Sequence, residues 1–192
     1  MKNHSIEQPE FQNYKYRDVY IELSRYRVIF LNEEITKELA TAISSLLLYY
    51  DSISDQEITM YINTNGGDTA ALFQMYDVMQ MIDSPIKTIC TGKAYSAGAV
   101  LLSAGTNGLR FCMKHSSIMI HGVQCAFPII GESDVDGSSN FYSFLDKHNN
   151  DLLKVLANHT GKEISKVKKD CERDFFMDAK TALNYGIVDG II

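Results

Sequence analysis

The sequence contains no tryptophan, only three prolines among its 192 residues, and no excess of basic residues. Its 24 acidic residues outnumber 18 basic ones, and the formal net charge is −6. No basic stripe is present that could replace the counterions of a nucleic acid. No apolar run reaches the roughly 18 residues that a membrane-spanning helix needs. We therefore expect neither nucleic acid nor a membrane as a partner.

Cysteines are few and do not form a C-x-x-C pair. Three of the four lie in apolar or strand-like stretches, and the full set is Cys90, Cys112, Cys125 and Cys171. Reduced, buried thiols are favoured over disulfides, which indicates a reducing compartment, and we expect a cytoplasmic location. His148 and His159 are interpreted as interface or surface residues, and no acidic partner at ligand spacing suggests a metal site. We therefore expect no metal and no other cofactor.

Segments with strand and helix periodicity alternate along the chain. Residues 56–63 alternate apolar and polar side chains, as a strand does, whereas residues 68–82 and 138–159 show helical spacing. Residues 32–34 follow an apolar strand-like segment and are expected to open a further helix. A length of 192 residues suits one domain with a sizeable core. The alternation predicts an α/β domain with parallel strands.

The run from Thr91 to Gly105 is almost free of charge and dense in Gly, Ala and Ser, which predicts a buried helix. Ser96 lies near its start, where a hydroxyl can point into a cleft beside the helix N-terminal amides. Such a serine can act as a nucleophile. The alternative is that Ser96 caps a core helix, and this stretch alone favours the cap. The segment reads A-x-S-x-G, which is not the G-x-S-x-G elbow.

Two further features bear on Ser96. The strand-like residues Tyr61 to Asn63 run into the double glycine Gly66-Gly67, whose amides can point outward and form an oxyanion hole. His121 ends a second strand-like run and can serve as a general base. Taken singly, each signal is weak, because most glycine pairs are only turns and most strand-end histidines are not bases.

The order and spacing of these segments resemble the ClpP family, the proteolytic subunits of the Clp serine proteases. The resemblance runs from about residue 18 to residue 192 and is carried by six segments. In chain order they are DVYIELSRYRVIFL, YINTNGGDTAALFQMYDVMQMI, TICTGKAYSAGAVLLSAGTNGLRF, SSIMIH, HTGK and DCERDFFMDAKTALNYGIVDGII. It implies the ClpP/crotonase-like fold, a spiral of βαβ units with a protruding handle helix, in a single domain over 18–192. The handle would span about 122–160. Residues 1–17 would form a flexible N-terminal segment that can serve as an axial loop.

The resemblance also implies roles for individual residues. Ser96 falls on the nucleophile, His121 on the general base and Asp174 on the carboxylate of the triad. Gly67 and Ala97 fall on the residues whose backbone N–H groups form the oxyanion hole. The residues alone do not select Asp174 among 24 acidic residues, so that choice comes wholly from the resemblance.

Assembly and partners are implied in the same way. The family forms two stacked heptameric rings, as a homo-oligomer or a mixed ring with a paralogue, and cleaves unfolded polypeptides fed by an AAA+ unfoldase. Arg173, beside Asp174, would couple ring contact to the active site. The pocket that accepts unfoldase loops would include Tyr61, Met81, Phe111 and Ile192, although core packing is the alternative for these side chains.

One stretch departs from the family pattern. After the base the family reads H-Q-P and continues into a glycine-rich strand, whereas this chain reads His121-Gly122-Val123 and continues with about four extra residues through Gly137. This departure leaves open the alternative of a non-catalytic or partner-activated scaffold subunit of a mixed ring. A second alternative is an acyl-CoA enzyme of the crotonase type, which shares the spiral fold and a double-glycine oxyanion hole but would not use a Ser-His-Asp set.

Overall fold

A computed structural model describes residues 16–123 and 135–192, and its secondary structure alternates as predicted. In chain order the elements are α1 (Tyr16–Ser24), β1 (Val28–Leu31), α2 (Lys37–Ile53), β2 (Ile58–Thr64), α3 (Thr69–Met81), β3 (Ile86–Tyr95), α4 (Ala97–Ser103), β4 (Arg110–Cys112), β5 (Ser117–Ile120), α5 (Val135–Thr160), α6 (Ile164–Asp170), β6 (Phe175–Asp178), α7 (Ala179–Tyr185) and β7 (Gly190–Ile191).

The strands form one sheet in which β1, β2, β3, β4 and β7 are neighbours in that order, all parallel. The long strand β3 changes partner along its length. Its first half pairs with β4, and residues 93–95 pair with β5. The short strand β6 is antiparallel to β5. The predicted α/β class with a mostly parallel sheet is confirmed, and β6 is the one antiparallel strand among the described residues.

The core lies between the sheet and helices α2, α3 and α4. Along β2 the buried residues alternate as predicted, with Ile58, Met60 and Ile62 inside. Every residue of α4 is buried. Burying a leucine or isoleucine side chain contributes about 1.5–3 kcal/mol, and the fully buried set includes Leu31, Leu47, Ile62, Leu72, Leu101 and Ile118.

Helix α2 begins later than the sequence predicted. Residues 32–34 were expected to open it, but its first residue is Lys37, and the Thr36 hydroxyl caps it by accepting from the Leu39 N–H at 3.2 Å. The reason is that Ile35 is held in an extended bridge to Gly67. Its N–H donates to Gly66 O and its C=O accepts from Asp68 N, both at 2.8 Å. The chain therefore cannot turn helical before residue 36.

The helix predicted over 91–105 is also shorter than expected. Residues 91–95 belong to β3, because Lys93 to Tyr95 pair with β5, and the helix α4 covers only Ala97–Ser103. Helix α1 and the short strands β6 and β7 are among the elements that the sequence did not predict. Helix α1 begins at Tyr16, one residue before the end of the segment assigned to the N-terminus.

Helix α5 covers the helix that the sequence predicted over residues 138–159. It has 26 residues and is followed by Gly161, whose φ of +67° gives the left-handed conformation of a helix stop. Its C-terminal half buries Leu152, Leu153 and Leu156 in the core. Two parts of the chain lie outside the described residues. They are residues 1–15 and residues 124–134, which make up most of the divergent stretch after His121. Within the described ranges, none of the helices is long and apolar enough to cross a membrane.

Candidate active site

The candidate residues lie where the carboxyl ends of three parallel strands meet. Gly67 follows β2, Ser96 follows β3 and His121 follows β5. Parallel strands present their carboxyl ends at one edge of the sheet, which is where α/β proteins bind ligands. The three features found separately in the sequence are therefore brought together by the topology.

Ser96 forms a sharp turn between β3 and α4. Its φ of 53° and ψ of −123° are unusual for a residue with a side chain, and such a conformation costs about 1–3 kcal/mol. It is held because the Ser96 N–H donates to Met119 O at 2.8 Å and because buried α4 follows directly. The hydroxyl makes no capping hydrogen bond to the helix. The hydroxyl therefore does not cap the helix in this structure, and Ser96 lines a cavity instead.

That cavity has a volume of about 120 Å³. Both Ser96 and His121 line it, together with the two residues whose N–H groups were predicted to form the oxyanion hole. The remaining lining includes Thr69, Leu72, Val123 and Leu152. A small cavity beside a serine can receive a side chain of a bound peptide.

His121 and Asp174 are brought together by the register of the antiparallel pair β5–β6. Ile120 pairs with Phe175, so the next position along β5 faces the position just before β6. His121 Nδ1 lies 3.5 Å from Asp174 Oδ1, which is longer than a hydrogen bond. His121 Nδ1 is buried and has no hydrogen-bond partner among the described residues. The His121 side chain is 13% exposed and that of Asp174 is 48% exposed.

Gly67 and Ala97 both border the cavity. The bridge to Ile35 uses Gly66 O and Asp68 N, so the Gly67 N–H is outside that ladder. A side chain at Gly67 is excluded, because a Cβ there would lie 2.3 Å from Ile35 O at a φ of +155°. Ala97 is the first residue of α4, where helix N–H groups have no intrahelical partner. Two such amides can stabilise an oxyanion.

Gly66 is a residue whose contribution sequence reasoning missed. Between Ile62 and Thr64 the pairing shifts, so that Ile62 pairs with Cys90 but Thr64 pairs with Ala94. This shift brings Gly66 beside the serine turn. A Cβ on Gly66 would lie 2.8 Å from Ser96 Cβ and 2.7 Å from Tyr95 O. The double-glycine motif was the signal, but only its second residue was assigned a role.

The Cys171 thiol is not a competing nucleophile. Gly122 N donates to Cys171 O at 2.9 Å, which places residue 171 beside the segment that follows His121. Burial, with a smaller contribution from the charge of Asp170, raises the pKa of the Cys171 thiol to about 12. The thiol is therefore protonated at neutral pH, and Ser96 is the stronger candidate.

The residues assigned to coupling and docking are only partly brought together. Arg173 is exposed beside Asp174. Tyr61 on β2 and Phe111 on β4 both pair with Ile89 of β3, which lies between them in the sheet. Ile192 follows β7 and is 60% exposed, whereas Met81 ends α3, outside these strands, and is 65% exposed. The coupling and docking roles stay predictions.

The packing of Gly66 yields a testable prediction. We expect Gly66→Ala to slow the reaction of Ser96 with a fluorophosphonate about 10²-fold, because the new methyl group displaces the Ser96 turn and misaligns its hydroxyl. The measurement is the second-order labelling rate constant.

Gly108→Ala is the matched control for this change. Gly108 has a similar φ of +86°, but a Cβ there meets nothing within 4 Å. Both changes place a side chain in the left-handed region, at a cost of about 1–2 kcal/mol. Only the first affects the serine turn. Equal labelling rates in the two variants would contradict the assigned role of Gly66.

The fold and the site first define a class of protein. A mostly parallel α/β domain with a serine on a strained turn, and a histidine on the same cavity, has the layout of a hydrolase that works through a serine nucleophile. The comparison with protein families is more specific. The model of the Clp protease family matches residues 11–192, and the chain belongs to this family. It is a ClpP-type peptidase, as the resemblance of its sequence implied.

Proposed function

We propose that the chain is a serine endopeptidase that cleaves unfolded polypeptides, with Ser96, His121 and Asp174 as its catalytic triad. The observation that carries the proposal is the convergence of two independent geometries. The strained turn presents Ser96 to the cavity that His121 also lines, and the β5–β6 register sets Asp174 beside His121 Nδ1.

The orientation of the histidine assigns each ring nitrogen a task. Nδ1 is the nitrogen nearest Asp174, which leaves Nε2 to take the proton from the Ser96 hydroxyl as that oxygen attacks the peptide carbonyl. The carbonyl oxygen then becomes an oxyanion held by the N–H groups of Gly67 and Ala97. The same imidazole gives its proton to the leaving amine, and water completes the hydrolysis of the acyl-enzyme.

The distance between His121 and Asp174 supports activation by assembly. At 3.5 Å the two groups do not form a hydrogen bond, and a small movement would close the gap. Arg173 is exposed next to Asp174, where contact with another subunit would reach it. We propose that the chain works in two stacked rings with an AAA+ unfoldase that docks near Tyr61 and Phe111. Arg173→Ala should then weaken both assembly and hydrolysis.

The thiols fit a reducing compartment such as the cytoplasm. The three cysteines in the described ranges, Cys90, Cys112 and Cys171, are unpaired and buried, and Cys125 lies outside those ranges. Burial, followed by the charges of Cys90 and Asp178, raises the pKa of the Cys112 thiol to about 11. Protonated, enclosed thiols of this kind serve packing.

The test of the proposed function is labelling with a fluorophosphonate serine probe, read by intact mass and peptide mapping. We expect one adduct on Ser96 in the assembled wild type and none in Ser96→Ala. An adduct that appears only after a paralogue or unfoldase is added would favour the partner-activated alternative. If no adduct forms on the wild type alone, with a paralogue or with an unfoldase, the proposed function is contradicted and a scaffold subunit is favoured.

A further inference from the structure

The two residues that follow His121 are fastened to two different elements. The Gly122 N–H donates to Cys171 O at 2.9 Å, and residue 171 caps the C-terminus of α6, three residues before Asp174. The Val123 N–H donates to Asn149 Oδ1 at 2.9 Å, and Asn149 lies on α5. One bond thus ties the histidine segment to the segment of the carboxylate, and the other ties it to the long helix.

The Asn149 amide fits closely against this segment. A Cβ on Gly122 would lie 2.9 Å from Asn149 Oδ1 and 3.4 Å from Cys171 O. The absence of a side chain at residue 122 therefore makes the space that the amide occupies. Because the Val123 N–H is a donor, the oxygen of the amide must face it, and the orientation of Asn149 is fixed.

The hydrogen bond from the Val123 N–H to Asn149 Oδ1, called the clamp below, bears on the cavity wall and on the position of His121. Val123 lines the cavity beside Ser96, and so does Gly122. The His121 ring is attached one residue earlier, and its Nδ1 is held by no hydrogen bond among the described residues. The ring therefore depends on its backbone for its position. The residues of α5 that pack in the core, among them Leu152 and Leu156, give Asn149 a rigid base.

We propose that Asn149 is a positioning residue, which holds Gly122 and Val123 against α5 and thereby keeps His121 and the cavity wall in register with Ser96. This inference rests on the proposed function, since it concerns the alignment of the same site. Asn149 touches neither reacting atom and acts through the Val123 N–H. It also gives α5 a direct mechanical connection to the catalytic histidine.

The experiment compares Asn149→Ala, Asn149→Asp and Asn150→Ala in the full-length chain. Asn149→Ala removes the acceptor, Asn149→Asp keeps a carboxyl oxygen at the same place, and Asn150→Ala is the same change on the next, exposed residue. Four quantities are measured: the rate constant for fluorophosphonate labelling of Ser96, the melting temperature, the oligomeric state and the hydrogen-exchange rate of the Val123 amide.

We expect Ser96 in Asn149→Ala to be labelled about 10- to 100-fold more slowly than in wild type. A displacement of His121 by about 1 Å or less is enough for a loss of rate of this size. The Val123 amide should exchange faster, while the melting temperature and oligomeric state stay close to those of Asn150→Ala. Asn149→Asp should recover most of the labelling rate. If Asn149 only stabilised the fold, Asn149→Ala would instead lower the melting temperature. Asn149→Asp would then not restore slow hydrogen exchange at the Val123 amide in particular.

Three results would overturn the proposal, and they are distinguishable. Equal labelling of the two alanine variants would reject the role of Asn149 and leave the proposed function standing. A loss of labelling that only follows a lower melting temperature would reduce Asn149 to a stabilising residue. A wild type that is not labelled at Ser96 even after a paralogue or unfoldase is added would contradict the proposed function itself, and positioning by Asn149 would have no reaction to serve.

Discussion

Alanine at His121 is expected to lower the hydrolysis of a short fluorogenic peptide as far as alanine at Ser96 does, by about 10⁴- to 10⁶-fold. The reason is that the hydroxyl is a poor nucleophile until the imidazole takes its proton, so neither group works without the other. The double variant Ser96→Ala/His121→Ala should lose no more activity than either single variant. The measurement is kcat/KM of the assembled protein for all three.

Residual hydrolysis in these variants has a separate source. The Gly67 and Ala97 amides and the cavity remain when the side chains of Ser96 and His121 are removed, and such groups retain part of the rate acceleration. Additive losses in the double variant would show that the two residues act independently. That outcome would contradict the assignment of Ser96 and His121 to one proton transfer.

The contribution of the Asp174 carboxylate to kcat can be separated from a general effect of charge by a control that removes the same charge nearby. Asp174→Asn should lower kcat by about 10⁴-fold, because the asparagine no longer stabilises the charged imidazole or its required tautomer. Glu172→Gln removes the same charge from an exposed residue two positions away and should leave kcat unchanged. If both variants keep the wild-type kcat, Asp174 is not the orienting carboxylate.

The positions of Ser96, Gly67 and His121 could be predicted because each ends a strand with a readable pattern. A parallel sheet brings the carboxyl ends of its strands to one edge, so the fold class alone implies that these residues converge. The local geometry could not be predicted in the same way. The two-residue shift between β2 and β3 that sets Gly66 beside Ser96 depends on pairing between distant segments.

Asp174 and Asn149 show where the sequence carries too little information. Asp174 reaches His121 through β6, a strand of four residues whose antiparallel partner lies more than fifty residues earlier, and no periodicity marks so short an element. The partner of Asn149 is a backbone N–H 26 residues away. A backbone donor leaves no trace in the side-chain sequence, so only the folded chain identifies the clamp.

The C-terminal strand β7 is fixed by a largely buried ion pair. Arg110 donates from Nε to Asp189 Oδ2 at 2.9 Å and from Nη2 to Asp189 Oδ1 at 2.5 Å. Arg110 Nη1 also donates to His159 O at 2.7 Å, at the end of α5. The two side chains of the pair are 7% and 19% exposed. One guanidinium therefore joins β4, the segment that leads into β7, and the helix that carries Asn149.

Replacement of Asp189 by asparagine is expected to lower the free energy of unfolding by about 3 kcal/mol, because it leaves the Arg110 charge buried without its counter-charge. Denaturant titration measures the change, and thermal unfolding should shift by roughly 6–12 °C. Glu57→Gln is the control. It breaks the more exposed ion pair between Lys87 and Glu57, at 2.6 Å, and should cost about 1 kcal/mol or less.

The pH dependence of that difference identifies its origin. Partial burial alone would raise the pKa of the Asp189 carboxyl, but the hydrogen bonds and charge of Arg110 outweigh it and hold that pKa below its usual value. A carboxyl with a depressed native pKa stabilises the fold above its unfolded pKa of about 3.9. This stabilisation is lost as the pH falls through the native pKa. The gap between wild type and Asp189→Asn should therefore be full at pH 7 and narrow below about pH 4. A gap that stays constant from neutral to acidic pH would assign the loss to packing instead of charge.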